Sequence, residues 1–173
     1  MSYALDSNIL LRSIEADHPQ QSETLALINK LISRGEDVFL LPQVFYEFWV
    51  VATRPMENEN GLGLSAVEAD AVVTKFASAF PIVHDTPEVF RQWRELVASQ
   101  AVLGKNAHDA RLAAAIITHG IDHLVTFNKG HFKRFSGMTA IFCHPKFDFL
   151  PCSRVSRQVI EGNAFERINR GHT

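Results

Sequence analysis

Short runs of β-branched and aromatic residues alternate with longer helical stretches, and this alternation restricts the possible folds more than any other property of the chain. Tyr3-Ala4-Leu5, Val38-Phe39-Leu40-Leu41, Pro81-Ile82-Val83-His84, Leu124-Val125-Thr126-Phe127 and Thr139–Cys143 read as strands. A short helix to about Glu15 follows the first of them. A second helix, from about Pro19 to Arg34, puts Leu25, Ile28, Leu31 and Ile32 on one face and is stopped by Gly35. Pro42 opens a helix that runs to Thr53, and 54–64, with Pro55, Gly61 and Gly63, is a loop. Ser65 and Glu68 form a capping box for a helix through Ala79, and Thr86-Pro87 starts another to about Ala101. A further helix opens at Asp109. Strands alternating with helices imply parallel pairing and right-handed crossovers, hence a three-layer α/β/α fold around a central, mainly parallel sheet.

Within that frame Glu47 is out of place. It stands in Val44-Phe45-Tyr46-Glu47-Phe48-Trp49-Val50-Val51, where the residues one turn to either side, Val44 and Val51, are apolar. A buried, unpaired carboxylate costs several kcal/mol or takes up a proton. No Lys or Arg lies at helical spacing, so the sequence leaves a bound cation, an outward reach to solvent at a domain edge, or a dimer contact.

Three more oxygen donors fall at strand ends or helix starts. Asp6 follows the first strand, Asp109 begins a helix, and Asn128 follows Leu124-Val125-Thr126-Phe127. Singly, each has an ordinary reading: Asp6 and Asp109 as helix N-caps, Asn128 with Lys129-Gly130 as a turn. Together they suit the crevice at the carboxyl ends of an open α/β sheet, where four oxygen ligands would hold Mg²⁺ or Mn²⁺.

The 173 residues fit a single domain, and 46% hydrophobic with 21% charged residues is ordinary for a soluble protein. No stretch is long enough to span a bilayer and the N-terminus lacks a signal pattern, so the expectation is a cytoplasmic protein with no membrane partner. Cys143 and Cys152 are too few for a disulfide framework and match no zinc spacing. A formal charge of −2 gives no general attraction to nucleic acid, so any polyanion must be met by a local patch or a metal.

Several segments, taken in order, resemble the PIN-domain family, and within it the VapC-like toxins of bacterial toxin–antitoxin pairs. They are Leu5-Asp6-Ser7-Asn8, the Glu47 helix ending Ala52-Thr53-Arg54-Pro55, His108-Asp109-Ala110-Arg111-Leu112-Ala113-Ala114, and Leu124-Val125-Thr126-Phe127-Asn128-Lys129-Gly130-His131-Phe132. The likeness covers residues 1–145, a PIN-like nuclease domain, and leaves 146–173 as a partly ordered, mildly basic extension.

The resemblance implies a metal-dependent endoribonuclease with an acidic Mg²⁺ or Mn²⁺ site. Asp6, Glu47 and Asp109 match the family's three core acids, Asn128 its fourth position, and Thr126 the supporting hydroxyl residue before it. Asp6 and Asp109 are then direct ligands, Glu47 a ligand or the acceptor that orients the attacking water, and Asn128 a neutral oxygen donor. His131 stands where relatives often carry an acid. Three formal negatives remain, which weakens cation binding or restricts the site to one ion. The resemblance also implies an RNA substrate, a cognate antitoxin, and a homodimer burying apolar surface around Phe48 and Trp49.

Lys105 and Arg111 suit either phosphate contact or a solvated surface, and His108 an acid–base or a turn role. Trp49, Trp93 and the phenylalanines read as core or interface rather than a base-stacking platform. Two rival readings stand beside the nuclease: a degenerate PIN-like module that binds RNA or protein without cleavage, and a different phosphohydrolase with Asp6 as covalent nucleophile. Asn8, where such a hydrolase usually has a second acid, counts against the latter.

Overall fold

The computed structural model describes residues 1–58 and 60–142. Four parallel strands, β1 (Ser2–Leu5), β2 (Asp37–Phe39), β3 (His123–Thr126) and β4 (Thr139–Phe142), form one sheet in the order β2-β1-β3-β4. The register pairs Tyr3 with Val38 on one side and with His123 on the other, which puts β1 and β3 at the centre. The helices α1 (Ser7–Ile14), α2 (Gln21–Ser33), α3 (Pro42–Ala52), α4 (Ala66–Ala79), α5 (Pro87–Ser99), α6 (Asn106–Thr118) and α7 (Lys129–Phe132) flank it, in keeping with the expected α/β/α fold. Because every strand runs the same way, the residues after Leu5, Phe39 and Thr126 emerge at one end of the sheet.

Local chemistry accounts for most boundaries. Ser65 and Glu68 make the full capping box at the start of α4. Gly35 and Gly120, both at positive φ, close α2 and α6 with paired bonds: Gly35 N–H to Ile32 O and Glu36 N–H to Leu31 O, then Gly120 N–H to Ile117 O and Ile121 N–H to Ile116 O. Ala4, Leu5, Ile9, Leu10, Val44, Phe48, Ala113, Ile116 and Leu124 are fully enclosed between sheet and helices. Burying a side chain such as Phe48 contributes about 1.5–3 kcal/mol.

The structure departs from the sequence reading at several points. The segment Pro81–His84 is no strand: it touches the sheet through one bridge, Leu40 to Ile82, because Pro81 has no N–H to extend a ladder. The inner face of α2 is rotated, with Thr24, Leu27, Ile28 and Leu31 buried and Ile32 exposed; the Thr24 hydroxyl is satisfied by Gln20 O at 2.8 Å. Helix α5 ends at Ser99, two residues early, as Ala101 adopts a left-handed φ of 47°. Helix α6 begins at Asn106, three residues early, so Asp109 lies within its first turn and is no N-cap. The short helix α7, at 129–132, occupies what reads as a turn. The extension 146–173 and both cysteines lie outside the described residues, as does the strand's expected last residue, Cys143.

Candidate acidic site at the carboxyl ends of the strands

Asp6 follows β1 and caps α1, accepting the Ser7 N–H at 2.7 Å. The N-cap reading of this residue therefore holds, but capping uses only Oδ1. Oδ2 turns to the neighbouring strand, where it accepts the Thr126 hydroxyl at 2.6 Å and the Asn8 amide at 2.8 Å. Thr126, fully buried, in turn accepts from Asn8 Nδ2 at 3.2 Å and from the Asn128 backbone N–H at 2.9 Å. Asn8 Oδ1 closes the circuit by accepting the Phe127 N–H. The ends of β1 and β3 are thus joined by an Asp-Thr-Asn network. Asn128 itself is exposed, and its tie to the site runs through its backbone rather than its amide.

Glu47 is not buried as its apolar flanks imply. The outer face of α3 is itself apolar and open, with Tyr46, Trp49 and Val50 exposed, while Val44, Phe45, Phe48 and Ala52 face the core. Glu47 occupies the seam, half-buried. Its Oε1 accepts from Gln43 Nε2 at 2.7 Å and its Oε2 from Ser7 Oγ at 2.9 Å. The same Ser7 Oγ lies 3.2 Å from Asp6 Oδ1. A hydroxyl has one proton, so it cannot satisfy both carboxylates at once. Burial first, and then the Glu47 charge, push the Asp6 carboxyl up from 3.8 to about 6, against the pull of the Thr126 and Ser7 hydrogen bonds.

Asp109, from the first turn of α6, is half-buried and its pKa is also raised. Burial is the main cause and the Glu47 charge adds to it; His131, His108 and Lys105 act in the opposite sense. His131 Nδ1 lies 3.4 Å from Asp109 Oδ2, so the imidazole faces the carboxylate. Gln43 links the two acid-bearing helices: besides Glu47, its Nε2 donates to His108 O at 2.9 Å, and its Oε1 accepts from Arg111 at 2.8 Å. Arg111 is paired with Asp85 as well.

The structure therefore brings Asp6, Thr126 and Glu47 into one hydrogen-bonded group and Asp109 within its electrostatic reach. Among the described residues no three His, Cys, Asp or Glu side chains converge as a ready-made metal cage. The donor chemistry nevertheless suits a hard divalent cation: the charged groups are oxygen donors, Asp6 is buried, and one hydroxyl proton is shared between two carboxylates. Sequence reasoning missed Ser7, Gln43 and Asp85. Gln43, one turn before Glu47 on the same helix, carried a readable signal; the contacts of Ser7 and Asp85 depend on the fold.

The PIN domain family model matches residues 3–138. Among solved structures, VapBC2 from Rickettsia felis bound to a promoter DNA fragment superposes with a TM-score of 0.59 at 18% identity, covering 82% of this chain and 98% of that one. FitAcB from Neisseria gonorrhoeae gives 0.55 at 19%, covering 83% and 97%. VapC20 from Mycobacterium tuberculosis, described as a sarcin–ricin loop cleaving toxin, gives 0.52 at 17%, covering 71% and 87%. None of the curated proteins is significantly similar in sequence.

Proposed function

From the premise that the chain belongs to the PIN-domain family, we propose that it is a divalent-metal-dependent endoribonuclease, the toxin of a toxin–antitoxin pair. The observation that carries this reading is the pairing of Asp6 and Glu47 across the single Ser7 hydroxyl, with Asp109 electrostatically coupled to Glu47. Of these three carboxylates, one of them buried, only Asp109 has an ion-pair partner among the described residues, and that partner is His131. A divalent ion meets that deficit and supplies what phosphodiester hydrolysis needs, neutralisation of the charge that develops on the phosphate oxygens.

Asp6, Glu47 and Asp109 would hold Mg²⁺ or Mn²⁺, with Asn128 able to add a neutral oxygen by turning its exposed amide inward. The protein's own part is positional. Thr126 and Asn8 fix the Asp6 carboxylate in orientation, and Gln43 fixes Glu47 relative to the first turn of α6. Glu47 keeps its carboxylate at the half-buried seam, where it can orient an attacking water. Asn128 and His131 leave three formal negatives, which suits one ion better than two.

Homodimerisation through the exposed face of α3 belongs to the same proposal. The face differs in one respect from the sequence expectation: Phe48 is core, and Tyr46, Trp49 and Val50 are the residues available. The solved VapBC and FitAcB assemblies support an antitoxin as partner. None of the helices among the described residues is long and apolar enough to cross a membrane.

The test is cleavage of total cellular RNA by purified protein with Mg²⁺, Mn²⁺ or EDTA, with an Asp6→Asn/Asp109→Asn double variant prepared identically. Discrete fragments that disappear with EDTA and in the variant are expected. A folded, antitoxin-free sample that cleaves with neither metal would instead indicate a binding module without catalysis.

A further inference from the structure

Trp93 does not sit in the core. It is half-buried on α5 against the exposed Phe90, with ring centroids 5.7 Å apart and planes inclined by 33°. With Asp85, Thr86, Val89 and Arg111 the two rings line an open cavity of about 330 Å³. Its walls are mainly apolar, and one carboxylate and one guanidinium, paired with each other, sit in its lining. This is near the small end of ligand pockets, which run from roughly 300 to 1,000 Å³, and offers room for one ring system rather than a length of chain.

The cavity is wired to the acidic site at two points. Arg111 donates to the Gln43 amide that holds Glu47. Trp93 Nε1 donates to Ala107 O at 3.0 Å, in the first turn of α6 and two residues from Asp109. The cavity therefore borders α6, the helix that carries Asp109.

We propose that the cavity holds an unpaired nucleobase of the RNA substrate, next to the phosphodiester bond presented to the acids. The inference rests on the ribonuclease reading and adds the part of the substrate that the acids do not contact. Unpaired bases are recognised by stacking on aromatic faces and by hydrogen bonds to their edges. Phe90 and Trp93 supply the faces. Asp85 accepts from a ring or amino N–H, and Arg111 has N–H groups left to donate to a ring carbonyl or nitrogen. A purely aliphatic guest would make no use of the acceptor and donor capacity that Asp85 and Arg111 keep beyond their mutual pair.

The test uses the full chain in EDTA, where nothing is cleaved, and fluorescence anisotropy with a short labelled single-stranded RNA in which each nucleotide in turn is made abasic. One position is expected whose base removal weakens wild-type binding roughly tenfold, the scale of a lost base stack, and leaves Phe90→Ala binding nearly unchanged. Phe90 is exposed, so truncation leaves the core intact, and Phe90→Trp should restore the coupling. Equal cost of base removal in wild type and Phe90→Ala, or no binding of the RNA, would overturn the base pocket and leave this face to a protein partner. Metal-supported cleavage is followed in parallel. Cleavage without the coupling sinks the pocket alone, whereas coupling without cleavage sinks the ribonuclease reading and leaves the pocket standing.

Discussion

Two aspartates sit at opposite ends of the same pair of central strands, and their environments push them in opposite directions. Asp122 precedes β3, where the Ser2 N–H and hydroxyl both donate to it, at 2.9 and 3.0 Å, and its pKa is lowered, chiefly by that backbone bond. Asp6 follows β1 and has at least as many donors, yet its carboxyl is raised to about 6. The difference lies in burial and in the sign of the neighbour. Asp122 is exposed and beside His123, whereas Asp6 is enclosed and beside Glu47. Hydrogen bonds alone thus do not separate a structural carboxylate from a functional one. A buried carboxylate kept next to a like charge marks a candidate site, because burial and repulsion work against the stability its hydrogen bonds contribute.

The widest separation between the two ends should appear in activity. Asp6→Asn is expected to reduce metal-supported RNA cleavage by roughly a thousandfold, the loss of several kcal/mol of charge stabilisation. Asp122→Asn should leave the rate within about twofold, as for a surface change far from the chemistry. Single-turnover cleavage of one defined RNA measures both, and comparable losses would erase the contrast.

Stability against pH comes next. A folded pKa above the ordinary 3.8 means that folding favours the protonated Asp6. Its contribution is therefore most favourable below about pH 4, is lost as pH rises to about 6, and is flat beyond. The span is about 3 kcal/mol. Asp122 has the opposite sign: its stabilisation is present above the ordinary carboxylate range and lost as pH falls through its lowered value. Urea unfolding in EDTA should show the decline between pH 4 and 6 in wild type and Asp122→Asn, and a smaller one in Asp6→Asn, where the raised pKa of Asp109 still contributes. Adding Mn²⁺ at pH 7 should recover stability in wild type by ligand linkage.

Gln43→Ala is a finer cut. It leaves every proposed ligand in place and removes the bonds to Glu47, His108 O and Arg111. A tenfold to hundredfold loss of rate or metal affinity is expected, typical for partners of ligating side chains; unchanged kinetics would make Gln43 merely structural. The smallest effect belongs to Asp122→Ala, which should cost about 1 kcal/mol of stability at pH 7 through the lost Ser2 bonds.

The strand and helix pattern was readable where a local signal was complete. The Ser65–Glu68 box, Pro42 at the head of α3 and Gly35 after α2 each carry their own geometry, and α4 and α3 begin where those residues place them. Where tertiary contacts decide, the sequence reading slipped. Pro81-Ile82-Val83 has strand composition but meets only one partner residue, and α6 extends back to Asn106 without any capping side chain. The acids followed the same division. Asp6 and Glu47 were legible as polar residues at a strand end and within an apolar run, and they meet through Ser7; Thr126, singled out by the family resemblance, bonds Asp6 directly. The open side of α3 was not legible, since Tyr46, Trp49 and Val50 look like core residues and only packing reveals which side faces out.

Gln43 behaves as a calliper. Its Nε2 spends one hydrogen on the Glu47 carboxylate and the other on the backbone of α6, one residue before Asp109. The gap between two acids on different helices is thereby set by a single planar amide of fixed width. Asn, one methylene shorter, could not span both jaws, and Glu would put a third like charge between them. Under the proposed metal-dependent reading, the size of cation held between the acids would be tuned at a side chain that never touches the cation, with the acids themselves left unaltered.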